Sequence, residues 1–400
     1  MPTAVITVDV EAVPDRIGDL ERYQSAFVIF ADRGVPVGRV VTPVVGNAVE
    51  GRLLTEAFHQ TAGFSYWRRW LHRQLDWTDR PKAPPLSATV AVCTRERPDD
   101  LRRCLAALAA MPNDGQEILV VDNCPRTDAT RRVVEGFPAV RYLLESRPGL
   151  DVARNRALHE ASNEIVAFSD DDAVPDPGWL RGHLSNYTNP MVMAVTGLSL
   201  PFELETPAQE LFERYSPFGR GFERRVFSCP PHDSRHVAPL GAGANLSVRR
   251  SILVSCGAFD EALDAGTLTR SGGDHEMFGR ILQAGYRVVY DPAASSRHRH
   301  RRTMAELVDT FYGYGSGVFA FWTRRLVTER DVRAAWAALG WFVRGPVRSL
   351  FQAALHRPGS LPRGLAFAEF KGALVGPFLY FRARRRLPRA LRAAARIPGQ

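Results

Sequence analysis

Three consecutive carboxylates carry the strongest chemical signal in this sequence. Asp170, Asp171 and Asp172 directly follow the apolar run Ile165–Phe168. Adjacent acids repel one another, so a fold seldom places three of them together without a compensating cation. Hard carboxylate oxygens suit Mg²⁺ or Mn²⁺, ions that also bridge to the phosphates of a substrate. The alternative is a solvated acidic turn in which Asp172 caps a later helix.

A single carboxylate about 100 residues later has the surroundings of a catalytic base. Asp274 follows Gly272 and Gly273, and the amphipathic pattern after it ends at Gly285. This pattern predicts a helix with Asp274 at its N-terminus, where the glycines let the chain approach a ligand closely. A carboxylate in that place can accept a proton from a hydroxyl group. The simpler alternative is that Asp274 only caps the helix.

Two histidines lie in the basic run Arg297–Arg302, which follows the predicted strand Arg287–Tyr290. In an extended segment His298 and His300 would share one face, from which imidazole nitrogens can reach a metal. A solvated basic patch is the alternative for these residues.

Polar residues also follow the first two predicted strands of the central part of the chain. Thr94 and Glu96 follow one strand, and Asp122 and Asn123 follow the next. Side chains at such strand ends can hydrogen-bond the base and ribose of a nucleotide. For Asp122 the alternative is a turn or helix-capping role.

A candidate phosphate partner lies on a predicted helix after the turn Arg147-Pro148-Gly149. The N-terminus of such a helix favours a phosphate, and Arg154 could bind it with two parallel hydrogen bonds. The alternative for Arg154 is a surface ion pair.

The elements that must position these residues alternate between strand and helix from Ser87 onward. Continuous β-branched runs such as 87–94 and 117–121 are typical of strands buried on both faces. Repeated strand–helix–strand units predict an α/β fold with a mainly parallel sheet and helices on both faces. Ligands of such sheets bind beyond the carboxyl ends of the strands, where the candidate residues lie.

The chain length of 400 residues predicts more than one folding unit. We expect a small β-rich accessory unit over 1–84, with a hairpin around Arg33-Gly34, and the α/β unit over 85–305. A helical, basic region is expected over 306–400, and Arg80–Pro85 reads as a stiff linker.

Composition excludes several classes of protein. An apolar fraction of 45% and a charged fraction of 24% are typical of a globular chain and exclude a fibrous or wholly disordered one. The net charge is +9, and residues 371–400 hold eight Lys or Arg and no acid, so the remaining charge is 9 − 8 = +1. A near-neutral body argues against a nucleic-acid-binding core, and the basic tail argues for contact with an anionic partner.

Taken together, these residues resemble the family 2 glycosyltransferases, which have the nucleotide-sugar-binding GT-A fold. The resemblance runs in the expected order from about Ser87 to Arg302. The matching stretches are CTRERP (93–98), ILVVDN (118–123), RPGLDVARN (147–155), IVAFSDDD (165–172), PGWL (177–180), GAGANLSVRRS (241–251), GAFDEAL (257–263), GGDHEMFGRILQAGYRVVYDP (272–292) and RHRHRR (297–302).

The resemblance implies a metal-dependent, inverting transferase that uses a nucleotide-sugar donor, with a UDP-sugar as the first expectation. Asp172 would bind the divalent cation, Mn²⁺ or Mg²⁺, together with His298, and His300 is the substitute for His298. Asp274 would be the catalytic base. The residues expected to line the nucleotide-sugar pocket are Thr94, Glu96, Asp122, Asn123, Arg154, Asp170 and Asp171.

The sequence departs from the family pattern at two positions. The glutamate that usually precedes the base is Gly273, and the usual pair of aspartates after the second strand is Asp122-Asn123. Two alternatives therefore stay open: a catalytically degenerate nucleotide-sugar-binding protein, and a sugar-phosphate nucleotidyltransferase. The second class carries a Gly-rich, Lys-containing loop after the first strand, and CTRERP lacks it.

The two ends of the chain lead to expectations about where the protein is located and what its acceptor is. The start of the sequence has no basic leader segment, and the cysteines form no CxxC pair, which predicts a cytoplasmic protein. Aromatic and basic residues over 306–400 predict peripheral contact with the anionic inner face of the membrane, and then a lipid-linked acceptor. A glycan or a small molecule is the other acceptor expected, no nucleic acid is expected, and a helical cap with a solvated tail is the alternative for this region.

Overall fold

The computed structural model describes residues 2–77, 86–230 and 233–388. The predicted linker Arg80–Pro85 and the end of the basic tail, from Arg389 onward, lie outside the described residues.

The N-terminal unit contains a three-stranded sheet and two helices. Its elements are β1 (Thr3–Asp9), β2 (Arg16–Ile17), β3 (Ser25–Asp32), β4 (Val35–Pro43), β5 (Val49–Glu50), α1 (Gly51–Thr61) and α2 (Gly63–Gln74). β3 and β4 pair antiparallel, and the turn between them places Arg33 and Gly34 at φ values of 51° and 78°. The sequence therefore predicted this hairpin correctly, because Gly34 adopts the left-handed backbone without strain.

Among the described residues, nine strands form the central sheet. They are β6 (Ala88–Thr94), β7 (Glu117–Asn123), β8 (Val140–Glu145), β9 (Ile165–Asp170), β10 (Ala173–Pro175), β11 (Val192–Pro201), β12 (Arg225–Phe227), β13 (Asn245–Arg249) and β14 (Arg287–His298). The order is β10-β14-β11-β13-β9-β6-β7-β8, and β12 pairs with β14. The block β9-β6-β7-β8 is parallel, as is the pair β11-β14, whereas β13 is antiparallel to both of its neighbours.

Helices cover both faces of this sheet. They are α3 (Pro98–Ala110), α4 (Ala129–Glu135), α5 (Leu150–Glu160), α6 (Trp179–Leu184), α7 (Pro207–Tyr215), α8 (Ile252–Ser255) and α9 (Gly273–Gln283). One apolar cluster joins the sheet to α5 and α9, and a second cluster joins the opposite face to α3, α4 and α6. Successive residues of β6 belong to different clusters, because Ala91 faces one side while Val90 and Val92 face the other. The fold is the predicted α/β class.

The C-terminal region is helical, as predicted. It contains α10 (Met304–Thr328), α11 (Val332–Phe342), a π-helical turn (Val343–Val347), α12 (Arg348–Ala354) and α13 (Arg363–Arg386). A Cβ added at Gly372 of α13 would overlap the carbonyl oxygen of Tyr312, and one at Gly315 of α10 would overlap that of Glu369. The two long helices therefore cross with their backbones in contact.

Strand β14 is longer than the predicted Arg287–Tyr290 and continues to His298. Pro292 cannot donate a ladder hydrogen bond, and a register shift in the β11–β14 pair between Gly197 and Leu198 absorbs the interruption. The extension matters because it carries His298 to the edge where β9 ends. Within the described ranges, none of the helices combines the length and the apolar character that crossing a bilayer requires.

Candidate active site

Strand register brings together the carboxylates and the histidine that the sequence singled out. β9 ends at Asp170, and Ala173 at the start of β10 lies opposite His298 of β14. The Nε2 atom of His298 consequently lies 3.1 Å from Oδ1 of Asp172 and 4.0 Å from Oδ2 of Asp170. One ligand atom from each of these three residues lies within 4.8 Å of the others.

This trio fits a divalent cation. Asp172 and His298 are buried, with 6% and 7% of their surfaces exposed, so their charges are shielded from water. The Nδ1 atom of His298 is buried without a hydrogen-bond partner among the described residues. Carboxylate oxygens are the ligands that Mn²⁺ and Mg²⁺ prefer, and an imidazole nitrogen can complete such a set.

Two arginines neutralise the acidic run on its other side. Arg97 Nη1 donates to Asp171 and to Asp172 over 3.0 Å in each case, and Arg301 Nη1 donates to Asp172 over 3.3 Å. Burial alone would raise the pKa of Asp172, but His298 and Arg97 outweigh it and hold that pKa below the usual value. Burial and the neighbouring Asp172 raise the pKa of Asp170 to about 6. Each additional negative charge in the run therefore raises the free energy of the folded protein unless a cation balances it.

Asp274 lies in the first turn of α9, as the sequence predicted. Its Oδ2 accepts a hydrogen bond from the backbone N–H of Gly243 over 2.8 Å, and its Oδ1 accepts one from the N–H of His275 over 2.8 Å. Burial opposes ionisation, but His275, Arg154 and these two N–H groups lower the pKa of Asp274 below its usual value. The side chain is therefore a carboxylate at neutral pH and is free to accept a proton at its remaining lone pairs.

A buried group of charges lies behind Asp274. Arg154 Nη1 donates to Asp151 over 3.0 Å and to Asp264 over 2.8 Å, and its Nη2 donates to the carbonyl of Gly243. A Cβ added at Gly273 would overlap the carboxylate of Asp151, whose Oδ2 has no partner among the described residues. Burial and the charge of Asp264 raise the pKa of Asp151 well above its usual value.

Three adjoining cavities connect the acidic run with Asp274. A cavity of about 290 Å³ is lined by Thr94 and the acidic run, and one of about 330 Å³ is lined by Asp274. A third, of about 830 Å³, is lined by His298 and Arg301. Asp170 lines all three, so they form one cleft at the carboxyl ends of the strands. The Asp274 cavity is also lined by residues of the C-terminal helices, namely Tyr314, Trp341, Pro346 and Glu369.

Thr94 and Asp171 face this cleft but bind each other. The hydroxyl of Thr94 donates to Oδ2 of Asp171 over 2.7 Å, and Asp171 is 4% exposed. Their place in the cleft agrees with a nucleotide pocket, while the contact with Arg97 shows that Asp171 also anchors an arginine.

Asp122, Asn123 and Glu96 make contacts within the protein, and their predicted nucleotide contacts stay predictions. Asp122 is fully buried and its Oδ2 accepts a hydrogen bond from the hydroxyl of Tyr142, while its Oδ1 has no partner among the described residues. The Asn123 side chain donates to the Arg147 carbonyl and accepts from the Gly149 N–H, so it holds the turn before α5. Asn123 also lines the cavity of Thr94 and the acidic run.

Glu96 holds a loop in place. Its Oε1 accepts hydrogen bonds from the backbone N–H groups of Arg126 and Thr127, which lower the pKa of Glu96. The side chain thus ties the loop after β6 to the loop after β7.

Arg154 and His300 bind other groups of the protein. Arg154 is 3% exposed, its terminal nitrogens bind protein acceptors, and it lines the Asp274 cavity, so its contact with a phosphate stays a prediction. The Nε2 atom of His300 lies 3.2 Å from Glu213, and the ring packs on Phe212 with centroids 4.3 Å apart. The ring centroids of His300 and His298 lie 5.6 Å apart, and both residues line the cavity of about 830 Å³.

The sequence analysis missed Arg97 and Arg301 as candidate site residues. Both lie in stretches quoted for the family resemblance, and both bind Asp172. Charge balance was the available signal, because three adjacent carboxylates next to a buried strand require nearby cations. Asp151 offered no such signal, because its partner Arg154 also binds Asp264, which lies more than 100 residues further along the chain.

Comparisons with known proteins find similarity over the central part of the chain. Residues 89–250 match the family model described as Glycosyl transferase family 2. The pre-mycofactocin glycosyltransferase of Mycobacterium tuberculosis is 28% identical over 242 residues, which cover 58% of this chain and 48% of that relative. This chain thus spans about half the length of that protein. The O-antigen chain rhamnosyltransferase WbaN of Salmonella anatum is 26% identical over 276 residues, which cover 68% of this chain and 82% of that relative.

One solved structure supports the fold. It is the mannosyltransferase PcManGT from Pyrobaculum calidifontis in complex with GDP-mannose and Mn²⁺. The TM-score is 0.51 at 19% identity, over 78% of this chain and 94% of that chain. The likeness confirms the GT-A fold that the sequence predicted.

Proposed function

We propose that this chain, whose residues 89–250 belong to glycosyl transferase family 2, moves a sugar from a nucleotide-diphosphate sugar to an acceptor hydroxyl with inversion of configuration. The observation that carries the proposal is the single cleft in which Asp170 borders both the cation ligands and the cavity of Asp274. A donor bound at the acidic run would present its sugar towards Asp274.

The donor end of the cleft supports binding of a diphosphate. Asp172 and His298, with Asp170 beside them, would hold a divalent cation, Mn²⁺ or Mg²⁺. When bound, this cation would supply positive charge to the leaving diphosphate. Arg97 and Arg301 already border the cation ligands, and their guanidinium N–H groups can donate to phosphate oxygens. We propose UDP-sugars as donors, and we add GDP-sugars because the solved neighbour binds GDP-mannose.

The acceptor end supports general-base catalysis. Asp274 would take the proton of the acceptor hydroxyl while that oxygen attacks the anomeric carbon. The bond from the anomeric carbon to the diphosphate oxygen breaks on the opposite face, so one displacement inverts the configuration. The two N–H groups that bind Asp274 fix its orientation before the acceptor arrives.

The two alternatives predict different outcomes. The degenerate binding protein rested on Gly273, but the Asp151 carboxylate occupies the space of a side chain at that position. A nucleotidyltransferase would form a new nucleotide-sugar from a sugar phosphate and would release pyrophosphate rather than a nucleoside diphosphate.

We also propose that the C-terminal helices touch an anionic membrane surface from the cytoplasmic side. Along α11 the exposed residues Val332, Trp336 and Leu339 follow one another at helical spacing. Along α13 the same holds for Phe367, Leu374 and Phe378, and eight basic residues lie within 371–400. Aromatic and basic residues on one helix face suit the headgroup region of a bilayer.

The proposed base is tested by Asp274→Asn. The variant should bind donor within a few-fold of the wild type by calorimetry, because the side chain keeps its shape. Its rate of nucleoside diphosphate release should fall by about 10²- to 10⁴-fold, the usual contribution of a general base. Release is measured on a panel of UDP- and GDP-sugars with Mn²⁺, with Mg²⁺ and with EDTA, and EDTA should abolish it.

The matched control is Asp114→Asn, which makes the same change at a surface ion pair with Arg181. It should keep the wild-type rate. A wild-type turnover number for Asp274→Asn would remove Asp274 from the mechanism. Donor binding by the wild type without any release of diphosphate would instead favour the binding protein.

A further inference from the structure

An apolar cavity adjoins the proposed acceptor end of the cleft. Its volume is about 310 Å³. Its inner wall is apolar and is formed by Val237, Ala238, Pro239, Val318, Phe321, Trp322 and Trp341. The polar side chains of Arg235, His236 and His275 complete the lining.

This cavity shares part of its wall with the cavity of the proposed base. His275, Val318 and Trp341 line both spaces, and His275 is the residue directly after Asp274. A molecule that fills the apolar cavity would have to pass these shared residues to reach the Asp274 carboxylate.

One polar group in the wall of the cavity indicates that a ligand binds there. Trp322 is 5% exposed, and its indole Nε1 has no hydrogen-bond acceptor among the described residues. A buried donor of this kind is uncommon in a folded protein, because each such group loses its bonds to water without replacement. A ligand with one polar atom near its apolar part would satisfy it.

We propose that this cavity binds the apolar chain of an amphiphilic acceptor, whose hydroxyl group then lies beside Asp274. The proposal rests on the function proposed above and specifies the acceptor as an alcohol or glycoside that carries an apolar chain. Burial of the chain against Phe321, Trp322 and Trp341 supplies the binding energy, and the chain holds the hydroxyl near the carboxylate.

The cavity volume sets the length of chain that it can bury. A cavity of about 150 Å³ holds the six carbons of benzene, so this one has room for roughly ten carbons. The exposed Pro239 lines the cavity, so carbons beyond that number would extend into solvent. The benefit of a longer chain should therefore stop at that length.

The test uses n-alkyl β-D-glucopyranosides, from methyl to dodecyl, titrated into the full-length protein below their micelle-forming concentrations. Calorimetry should show a dissociation constant that falls by about fourfold for each added methylene, the usual effect of burying one. The fall should stop at roughly eight to ten carbons, when the cavity is full. Octyl and methyl glucosides that bind equally would overturn the proposal, as would a fall that continues without limit to dodecyl.

The second part of the test places a bulky residue in the cavity. Ala238→Phe fills part of the space and should remove the dependence on chain length, while Ala109→Phe adds the same ring at an exposed position of α3 and should keep it. The melting temperature of each variant verifies folding. An unchanged chain-length series in a folded Ala238→Phe variant would refute the proposed site.

The two proposals fail in different ways. Release of nucleoside diphosphate by the wild type without any chain-length dependence would refute the apolar acceptor site and leave the transferase proposal intact. Absence of release from every donor would count against the transferase proposal, whatever the glucosides do.

Discussion

The Asp151 carboxylate lies where a side chain at position 273 would otherwise be. The family pattern has a glutamate at that position. The family arrangement and the arrangement in this chain therefore both place an acid next to the proposed base. In this chain the acid comes from the first turn of α5 and pairs with Arg154. The environment behind Asp274 thus keeps a carboxylate although the neighbouring residue is glycine.

At the residue scale we predict that a carboxylate at position 273 can replace the carboxylate of Asp151. Gly273→Glu alone should destabilise the protein by about 1–3 kcal/mol, because the new side chain overlaps a buried carboxylate. Adding Asp151→Ala should recover at least half of that loss, since Arg154 can then pair with Glu at position 273. Chemical denaturation of the single and double variants measures the coupling.

The control is Gly178→Glu, which adds the same charge where nothing lies within 4 Å of the new Cβ. Its stability should stay within about 0.5 kcal/mol of the wild type, as is usual for surface changes. Strictly additive effects of Gly273→Glu and Asp151→Ala would show that the two side chains do not share a space.

Motif order located the candidate ligands and the candidate base, but it did not reveal what surrounds each side chain. Asp172, His298 and Asp274 follow strands or open a helix, and their local sequence shows this. The guanidinium of Arg154 meets Asp264, a residue 110 positions away, and no local pattern reports such a pair. For the same reason the sequence did not reveal that Asn123, which lines the cavity of the acidic run, also holds a turn.

At the element scale, the crossing of α10 and α13 depends on glycine. Gly372 contacts the backbone of Tyr312 and Ser316, and Gly376 contacts that of Ser316. The same helices supply Tyr314 and Glu369 to the cavity of Asp274. Helix spacing and the shape of the Asp274 cavity are therefore linked.

We predict that Gly372→Ala destabilises the protein by about 1–3 kcal/mol, because the added methyl group has to separate two helix backbones. The shift of α13 should also change the Michaelis constant for the acceptor more than the donor dissociation constant. Thermal unfolding and steady-state kinetics measure the two effects.

Gly364→Ala, in the first turn of the same helix, is the matched control, because its Cβ meets nothing within 4 Å. This variant should be neutral or slightly more stable, since alanine favours helix over glycine. Equal stability of the two variants would contradict the proposed close crossing.

The type of each element was predictable where hydrophobic periodicity was strong, whereas the ends of strands were harder to predict. The four parallel strands β6 to β9 and the helices between them follow from alternating apolar runs and turn residues. The continuation of β14 to His298 was not predictable, because Pro292 usually ends a strand and only the shifted pairing with β11 accommodates it.

At the scale of the whole molecule, the exposed faces of α11 and α13 combine apolar and basic side chains. Trp336 is 75% exposed and Phe378 is 65% exposed, and Lys371 and Arg382 are also exposed on α13. The opposite side of α13 packs on the α/β unit, where the hydroxyl of Tyr380 donates to Asp260. The region is therefore a packed helical cap with an exposed outer face, and its contact with a membrane stays a prediction.

We predict salt-dependent binding to vesicles that contain phosphatidylserine. Removal of 389–400 takes away three arginines and should weaken binding by about 1 kcal/mol for each of them. Trp336→Ser with Phe378→Ser should weaken it further without a change in salt dependence, because apolar burial is not screened. Flotation assays at low and high salt measure both effects.

Phosphatidylcholine vesicles are the control, and the full-length protein should bind them weakly. Equal binding to both vesicle types would rule out the charge contribution. A deletion that begins at residue 371 is unsuitable, because Ala373, Gly376 and Tyr380 are buried in the packing of α13.

The division of the chain into an accessory unit, an α/β unit and a helical region stays a prediction from composition and motif boundaries. These features gave no indication that the helical region reaches the cleft, because Trp341 and Glu369 come to line the Asp274 cavity only through the tertiary packing.

The participation of Trp341, Pro346 and Glu369 in the wall around Asp274 has an evolutionary consequence. A recombination breakpoint near residue 305 would exchange one side of that wall and keep the proposed donor site of the parent. If the proposed function is correct, one such event would change the acceptor preference and leave the choice of donor as it was.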